Sequence, residues 1–211
     1  MYLSGTVRDY LEDASSGRPT PGGGSVAALA GALGAAMACM AANFTAGNKK
    51  FESVEPEARR RLEACLRARD ELLRLMDEDT LGYAKVSAAY AMPREGALEK
   101  ALRSEAIQAA LLVAMDPPLK TVRLCRRMLQ EVAGLVDIAN PNLISDVGVA
   151  ALLGEAALRA AKMNVEINLA ALKDAALAGR ARAEIEEAAR EGAANARQVV
   201  EKVAAAISGG A

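Results

Sequence analysis

The groups that could move protons in this chain are carboxylates, lysines, tyrosines and cysteines, because its 211 residues include no histidine. That absence excludes histidine-dependent catalytic triads and histidine metal ligands. Proton transfer near neutral pH then requires one of the remaining groups with a shifted pKa. Cys39, Cys65 and Cys125 are scattered without a C-x-x-C spacing. We interpret them as reduced structural thiols of a cytoplasmic protein, with no metal site.

The acidic run Asp77-Glu78-Asp79 contains the best candidate for acid–base catalysis. Such runs usually form a solvated face, and we expect Asp77 and Glu78 to point outward. Asp79 follows Met76 by three residues and precedes Tyr83 by four, so it borders the apolar stripe of a predicted helix. A carboxylate at that border is partly desolvated, which raises its pKa.

Two lysines, Lys49 and Lys50, follow the end of an apolar segment and are a second candidate. The structural interpretation is that their positive charges stabilise a helix C-terminus. The functional interpretation is that they form a cationic site for an acidic part of a substrate, or that one of them has a lowered pKa. Their position in the sequence does not separate these possibilities.

A glycine turn, Pro19-Thr20-Pro21-Gly22-Gly23-Gly24-Ser25, leads into an uncharged segment, residues 26–44. Backbone N–H groups of Gly22, Gly23 and Gly24, with the Ser25 hydroxyl, could bind a carboxylate, a carbonyl oxygen or an anion at the start of a helix. The motif is not a nucleotide-binding P-loop, because no Gly-Lys-Ser/Thr follows. The alternative is a tight turn that allows close helix packing.

The remaining candidates are polar residues of the last third of the chain, namely Asn142, Ser145, Asp146, Asn164 and Asn168. Asn140-Pro141-Asn142 predicts a turn, and Ser145 is the predicted N-cap of the next helix. Asn164 and Asn168 form an i,i+4 amide pair among apolar neighbours. Asp146 and Asn164 share a helix face but lie about 27 Å apart, so they contact opposite ends of a long ligand or serve two sites across a dimer.

Helical periodicity predicts the elements that position these residues, and no strand pattern is present. The fold class is all-α, an up-and-down bundle of five to six long helices in a single domain, residues 1–211, with a small-residue helix at its centre. Thr6 is the predicted N-cap of the first helix, and Asp116-Pro117-Pro118 is expected to break or sharply kink the fourth. The predicted helices are residues 6–15, 25–43, 56–90, 97–115 with a continuation over 119–138, 145–172 and 182–207.

Composition restricts the partners. The net charge of −1 argues against a nucleic-acid or anionic-membrane binder, and no signal peptide is recognisable. Residues 26–44 are long enough to span a membrane, but their small side chains favour a buried helix of a soluble bundle. Rows such as Ala27, Gly31 and Ala35 let a neighbouring backbone approach closely.

These segments together resemble the formiminotransferase-cyclodeaminase C-terminal family, which includes stand-alone methenyltetrahydrofolate cyclohydrolases. The resemblance covers residues 6–205, and its specific parts are the glycine turn with residues 26–34 and the block from Asn140 to Leu169. It implies an all-α homodimer with folate sites near the subunit interface, a tetrahydrofolate derivative as substrate, and no metal or prosthetic group.

Two related reactions are implied. A cyclohydrolase adds water to the 5,10-methenyl bridge and forms 10-formyltetrahydrofolate; a cyclodeaminase forms that bridge from 5-formiminotetrahydrofolate and releases ammonia. For both reactions, Asp79 and one of the two lysines, Lys49 or Lys50, are assigned to acid–base catalysis. The glycine turn is expected to contact the pterin or the tetrahedral carbon. Asp146 and Asn164 are expected to orient the substrate. Because no formiminotransferase domain precedes the segment, we expect the cyclohydrolase. A non-catalytic helical dimer is the remaining alternative.

Overall fold

The computed structural model describes residues 2–209, and all regular structure in that range is helical. This confirms the predicted all-α class. Short 3-10 helices cover Tyr2–Ser4, Lys49–Val54 and Pro141–Leu143. The six α-helices are α1 (Val7–Ala14), α2 (Gly23–Thr45), α3 (Glu55–Tyr90), α4 (Ala97–Leu135), α5 (Ile144–Ala171) and α6 (Ala175–Gly209).

Helix α2 lies at the centre of the bundle and packs against α3, α4 and α5. It is antiparallel to α5, since Gly23 lies beside Asn164 and Gly34 beside the Ala150 carbonyl. Among the described residues it is the one helix long and apolar enough to cross a membrane, yet 61% of its most apolar window is buried. The predicted buried central helix is therefore confirmed, and its small side chains let neighbouring helices approach.

Helix α4 runs without interruption through Pro117 and Pro118, so the predicted break is wrong. Each proline removes one backbone donor and strains the preceding turn. Both prolines are buried, and Gly82 brings α3 so close that a β-carbon there would lie 3.1 Å from Ala114 Cα. Packing of α4 against its neighbours therefore maintains the helix where local propensity alone would end it.

Three predicted helix starts also need correction. Helix α2 begins at Gly23, with Gly22 as its N-cap, rather than at Ser25. Ser145 is not an N-cap, because a 3-10 turn with Asn140 as its cap leads directly into α5 at Ile144. Helix α6 begins at Ala175 rather than at 182, since the Asp174 carboxylate accepts the Leu177 N–H at 2.9 Å.

Two other local predictions are confirmed. Thr6 is the N-cap of α1 and forms a capping box with Asp9. Cys39, Cys65 and Cys125 are free and buried, and burial raises their pKa values to about 11, 12 and 12. These thiols stay protonated and serve as small apolar side chains of the core.

Candidate active site

A cavity of about 600 Å³ opens at the N-terminal end of α2. The glycine turn forms one wall, α3 and α4 form a second, and α5 forms a third. The lining residues are Pro19, Thr20, Gly22, Gly23, Gly24, Asp79, Tyr83, Val86, Tyr90, Leu111, Ala114, Asn164, Ile167, Asn168, Ala170 and Ala171. Most of this surface is apolar, and its polar groups come mainly from the turn, Asp79 and the two asparagines.

The Asp79 carboxylate lies directly against the first turn of α2. A β-carbon on Gly24 would overlap this carboxylate, so only glycine at that position permits the approach. Burial raises the pKa of Asp79 to about 6, and a hydrogen bond from the Ser25 backbone N–H partly opposes that rise. A carboxyl group with such a pKa exchanges a proton near neutral pH.

Ser25 supports this arrangement from beneath the cavity. Its side chain is fully buried, and its Oγ lies 3.0 Å from the Tyr10 hydroxyl of α1. Burial, together with the negative charges of Asp79 and Asp77, raises the pKa of Tyr10, so its hydroxyl stays neutral. Ser25 therefore reaches Asp79 through its backbone, while its hydroxyl contacts Tyr10.

Asp77 is buried, so the expectation that it points outward is wrong. Its Oδ1 accepts the Tyr2 backbone N–H at 2.9 Å, and the Tyr2 ring packs edge-on against Tyr10 with centroids 5.1 Å apart. The N-terminal segment covers this side of α3, which the local sequence around Asp77 could not indicate. Glu78 is half-buried.

Asn164 and Asn168 bring amide groups to the opposite side of the cavity. A β-carbon on Gly23 would lie 3.3 Å from both Nδ2 and Oδ1 of Asn164, so the amide lies against the glycine turn. Both Nδ2 groups donate to backbone carbonyls four residues earlier, Asn164 to Ala160 and Asn168 to Asn164. These bonds fix the side chains along α5 and leave their amide oxygens as acceptors.

The other candidate residues lie at the far end of α2. Lys49 and Lys50 are exposed in the 3-10 helix that follows it, and Asn48 caps this helix by accepting the Lys50 N–H. The 3-10 turn that contains Asn142 and leads to Ser145 and Asp146 is attached to the same end, because the Asn140 N–H donates to Thr45 Oγ1 at 2.9 Å. Helix α2 has 23 residues, which corresponds to about 34 Å, so the two groups do not meet within one chain.

The aromatic wall of the cavity was not predicted as part of a site. Asp79, Tyr83, Val86 and Tyr90 follow one another at intervals of four, three and four residues, so they share one face of α3. That spacing is the signal that could have found Tyr90. From Asp79 to Tyr90 the wall is about 16 Å long, counted along the α3 axis, and Tyr83, Val86 and Tyr90 make most of it aromatic or aliphatic.

The sequence model of the formiminotransferase-cyclodeaminase family matches residues 6–187. The chain belongs to this family. The resemblance inferred from the glycine turn and the asparagine block is thereby confirmed.

Relatives differ in how much of their length the chain covers. A Methylorubrum extorquens protein named methenyltetrahydrofolate cyclohydrolase is 36% identical over 96% of this chain and 98% of that protein. A Rattus norvegicus formimidoyltransferase-cyclodeaminase is 31% identical over 82% of this chain but only 32% of that protein. The crystal structure of formiminotetrahydrofolate cyclodeaminase from Thermotoga maritima superposes with a TM-score of 0.80 at 31% identity, covering 99% of this chain and 98% of that one.

Proposed function

We propose that this protein hydrolyses 5,10-methenyltetrahydrofolate to 10-formyltetrahydrofolate in the cavity at the N-terminal end of α2. The observation that carries the proposal is Asp79, a carboxylate with a pKa of about 6 that faces an aromatic-walled cavity and accepts a hydrogen bond from the Ser25 backbone N–H. The near-complete mutual coverage with the Methylorubrum extorquens cyclohydrolase supports it.

The chemistry needs a group that takes up a proton and returns it. The methenyl bridge between N5 and N10 carries a delocalised positive charge, which the Asp79 carboxylate stabilises. Water attacks the bridge carbon and gives one proton to Asp79, which forms a neutral tetrahedral intermediate. The bond from carbon to N5 then breaks, Asp79 gives its proton to N5, and the hydroxyl of the intermediate releases a proton to solvent as the formyl group forms on N10.

Positioning supplies the rest of the catalysis. The missing β-carbons of Gly23 and Gly24 leave room for the Asn164 amide and the Asp79 carboxylate beside the start of α2, and the pterin packs against the backbone of Gly22. The amides of Asn164 and Asn168 bind and orient it from α5. Holding the bridge carbon and Asp79 at reacting distance converts proton transfer into an intramolecular step.

The cyclodeaminase reaction is the second candidate, and the Thermotoga maritima structure favours it. That chain is covered almost entirely by this one, so domain length does not separate the two activities. In this reaction N10 attacks the carbon of the protonated formimino group on N5, and Asp79 takes the proton from N10 and gives it to the nitrogen, which leaves as ammonia as the methenyl bridge forms. The same cavity serves both reactions because both pass through a tetrahedral carbon between N5 and N10.

Purified protein given each substrate separately distinguishes the two reactions. We expect loss of methenyltetrahydrofolate absorbance above the uncatalysed rate, and no ammonia release from 5-formiminotetrahydrofolate. Ammonia release without methenyl hydrolysis would replace the first proposal with the second. Inactivity on both would contradict both and favour a non-catalytic helical dimer.

We further propose that the active form is a cytoplasmic homodimer joined through α2 and α5. Helix α2 carries no charge, and large apolar side chains on its outer face are 39–55% exposed: Val26, Leu33, Met40 and Phe44. The adjacent helix α5 exposes Val149, Leu152, Met163 and Ile167. Exposed apolar side chains on two adjacent helices are typical of an interface between subunits.

A twofold dimer through this face completes the site. Two α2 helices that pair antiparallel bring Lys49 and Lys50 of the partner subunit beside the glycine turn of this one. The same operation brings Asp146 of the partner subunit toward the cavity. The two groups that lie at opposite ends of α2 in one chain then meet between chains, and the lysines contact the substrate.

Mixed dimers test this arrangement. Asp79→Asn and the double variant Lys49→Gln/Lys50→Gln should each be inactive alone. When differently tagged copies are co-expressed, the mixed dimer retains one intact site, so an equal mixture should regain about a quarter of wild-type activity per subunit. Purified mixed dimers without activity, or a fully active lysine variant, would contradict a site shared between subunits.

A further inference from the structure

The first turn of α2 has no local means of holding its shape. Its N-cap, Gly22, makes no side-chain hydrogen bond, and Gly23 and Gly24 follow directly. Glycine has more backbone freedom than any other residue, and an uncapped helix end leaves its N–H groups without partners. Yet this turn presents the Ser25 N–H to the Asp79 carboxylate. Contacts from other parts of the fold therefore have to keep it in place.

A hydroxyl of α1 supplies one such contact. Tyr10 OH lies 3.0 Å from Ser25 Oγ, and both residues are buried, with 4% and 0% of their surface exposed. Among the described residues, neither hydroxyl has another hydrogen-bond partner. A buried hydroxyl without a partner costs free energy, so the pair favours one position of the Ser25 side chain and of the backbone N–H on the same residue.

The segment that contains α1 is in turn attached to α3, the helix that carries Asp79. The Tyr2 backbone N–H donates to Asp77 Oδ1 at 2.9 Å, and the Tyr2 ring packs edge-on against the Tyr10 ring. Because Asp77 precedes Asp79 by only two residues, these contacts form a closed cycle that begins and ends on α3. Its members are Asp77, Tyr2, Tyr10, Ser25 and Asp79. Such a cycle restricts the distance between the Ser25 N–H and the Asp79 carboxylate.

We propose that Tyr10 is a positioning residue for the reaction at Asp79. Through its bond to the Ser25 hydroxyl, Tyr10 holds the Ser25 N–H against the carboxylate and so sets how readily that carboxylate accepts a proton. The inference rests on the proposed function, because it concerns the carboxylate that exchanges the proton there. Tyr10 does not line the cavity, so it acts through Ser25 and not on the substrate.

The direction of the effect follows from the charge that the Ser25 N–H stabilises. This N–H favours the ionised carboxylate and lowers the pKa of Asp79, so a looser contact raises that pKa. The titratable groups around Asp79 are the Tyr10 hydroxyl from α1 and, on α3 itself, the Asp77 carboxylate and the Tyr83 hydroxyl. None of the residues that line the cavity from α2, α4 and α5 is charged, so none of them replaces a loosened N–H.

The experiment uses Tyr10→Phe, Ser25→Ala and the double variant, each of which keeps the backbone N–H of residue 25. The matched control is Tyr2→Phe, which loses a hydroxyl bonded to Asp13 at 3.1 Å but keeps the ring and the backbone N–H of the cycle. One readout is the pH profile of kcat/KM for methenyltetrahydrofolate. The other is the titration of the Asp79 carboxyl carbon by NMR, which needs no turnover and whose signal is identified by its loss in Asp79→Asn.

We expect the wild type and the control to share a midpoint of about 6 in both measurements. Tyr10→Phe and Ser25→Ala should each raise that midpoint by about half a pH unit to one pH unit and lower kcat at pH 8 about threefold. The double variant should shift the midpoint no further than either single variant, because both substitutions remove the same bond.

Asp79 titrating in Tyr10→Phe as it does in the wild type would overturn the proposal, even if the variant is less stable. Additive shifts in the double variant, or an equal shift in Tyr2→Phe, would overturn it as well. A carboxyl titration that shifts as expected in a protein without methenyl hydrolysis would overturn the proposed reaction and leave the positioning role of Tyr10 standing.

Discussion

The two ends of α2 illustrate how one helix creates two different chemical environments. At its N-terminal end, Gly24 has no side chain, and the Asp79 carboxylate occupies that space and accepts a hydrogen bond from the Ser25 N–H. At its C-terminal end, Thr45 donates to the Ala41 carbonyl and accepts the Asn140 N–H, while Lys49 and Lys50 are exposed to water. The missing side chain of Gly24 makes room for a desolvated carboxylate, whereas the lysines at the other end are exposed in the single chain.

The largest expected effect is loss of activity when the Asp79 carboxylate is removed. Asp79→Asn keeps the shape and an acceptor for the Ser25 N–H but cannot take up a proton. We expect kcat for methenyl hydrolysis to fall about 10³-fold. The adjacent substitution Glu78→Gln is the matched control and should stay within about twofold of wild type. Comparable activity of the two variants would remove Asp79 from the chemistry.

The next effect comes from filling the space that Gly24 leaves open. A β-carbon there overlaps the Asp79 carboxylate and must displace it, so Gly24→Ala should lower kcat about 100-fold. Gly17→Ala lies in the same N-terminal region with no atom near its β-carbon, and it should be silent. Full activity of Gly24→Ala would show that the carboxylate can act without its contact to the start of α2.

Asp79→Asn should also change stability, in the opposite direction to its effect on activity. The native pKa of about 6 exceeds the ordinary 3.8, so the native state binds the extra proton between those values and wild-type stability falls as pH rises through that window. Asparagine has no proton to lose, so the variant does not lose stability in this pH window. Its free energy of unfolding in urea should equal that of wild type near pH 3 and exceed it by up to about 3 kcal/mol at pH 8. A variant less stable than wild type at pH 8 would contradict a desolvated carboxylate.

The smallest effect is expected at the other end of α2. Gly47 has a φ of +78°, a left-handed conformation that costs a residue with a β-carbon about 1–2 kcal/mol. Gly47→Ala should lower the free energy of unfolding by that amount and leave kcat unchanged. Gly17→Ala, at a position with neither a left-handed backbone nor close neighbours, is its control. A loss of kcat in Gly47→Ala at full folding would indicate that this turn positions residues of the site.

Local sequence was sufficient for the features that depend on local spacing. Helix periodicity predicts the bundle, and the place of Asp79 beside the apolar stripe predicts its raised pKa. Asp77 has nearly the same local context, and its burial depends on Tyr2, a residue 75 positions away. The uninterrupted path of α4 through Pro117 likewise depends on how closely Gly82 brings α3. The burial of Asp77 and the continuity of α4 both depend on contacts between distant segments, and the residue spacing within one helix does not indicate such contacts.

The candidate site likewise combines features that local sequence predicts with features that depend on how the helices pack. The residue types were identifiable individually, but only the antiparallel pairing of α2 with α5 brings Asn164 to Gly23 and separates both from Asp146. Tyr90 lies on the same face of α3 as Asp79, so its spacing within that helix could have identified it, whereas the walls from α4 and α5 meet it only when the three helices are packed.

The pH dependence of turnover tests most directly whether Asp79 is the proton acceptor. The measurement is kcat/KM for methenyltetrahydrofolate from pH 5 to 8, after subtraction of the uncatalysed rate, for wild type and Asp79→Asn. We predict a wild-type profile that declines below a midpoint of about 6, approaching a tenfold loss per pH unit, and a low, level profile for the variant. A wild-type profile that stays level through pH 6, or a variant that keeps the same decline, would contradict the assignment.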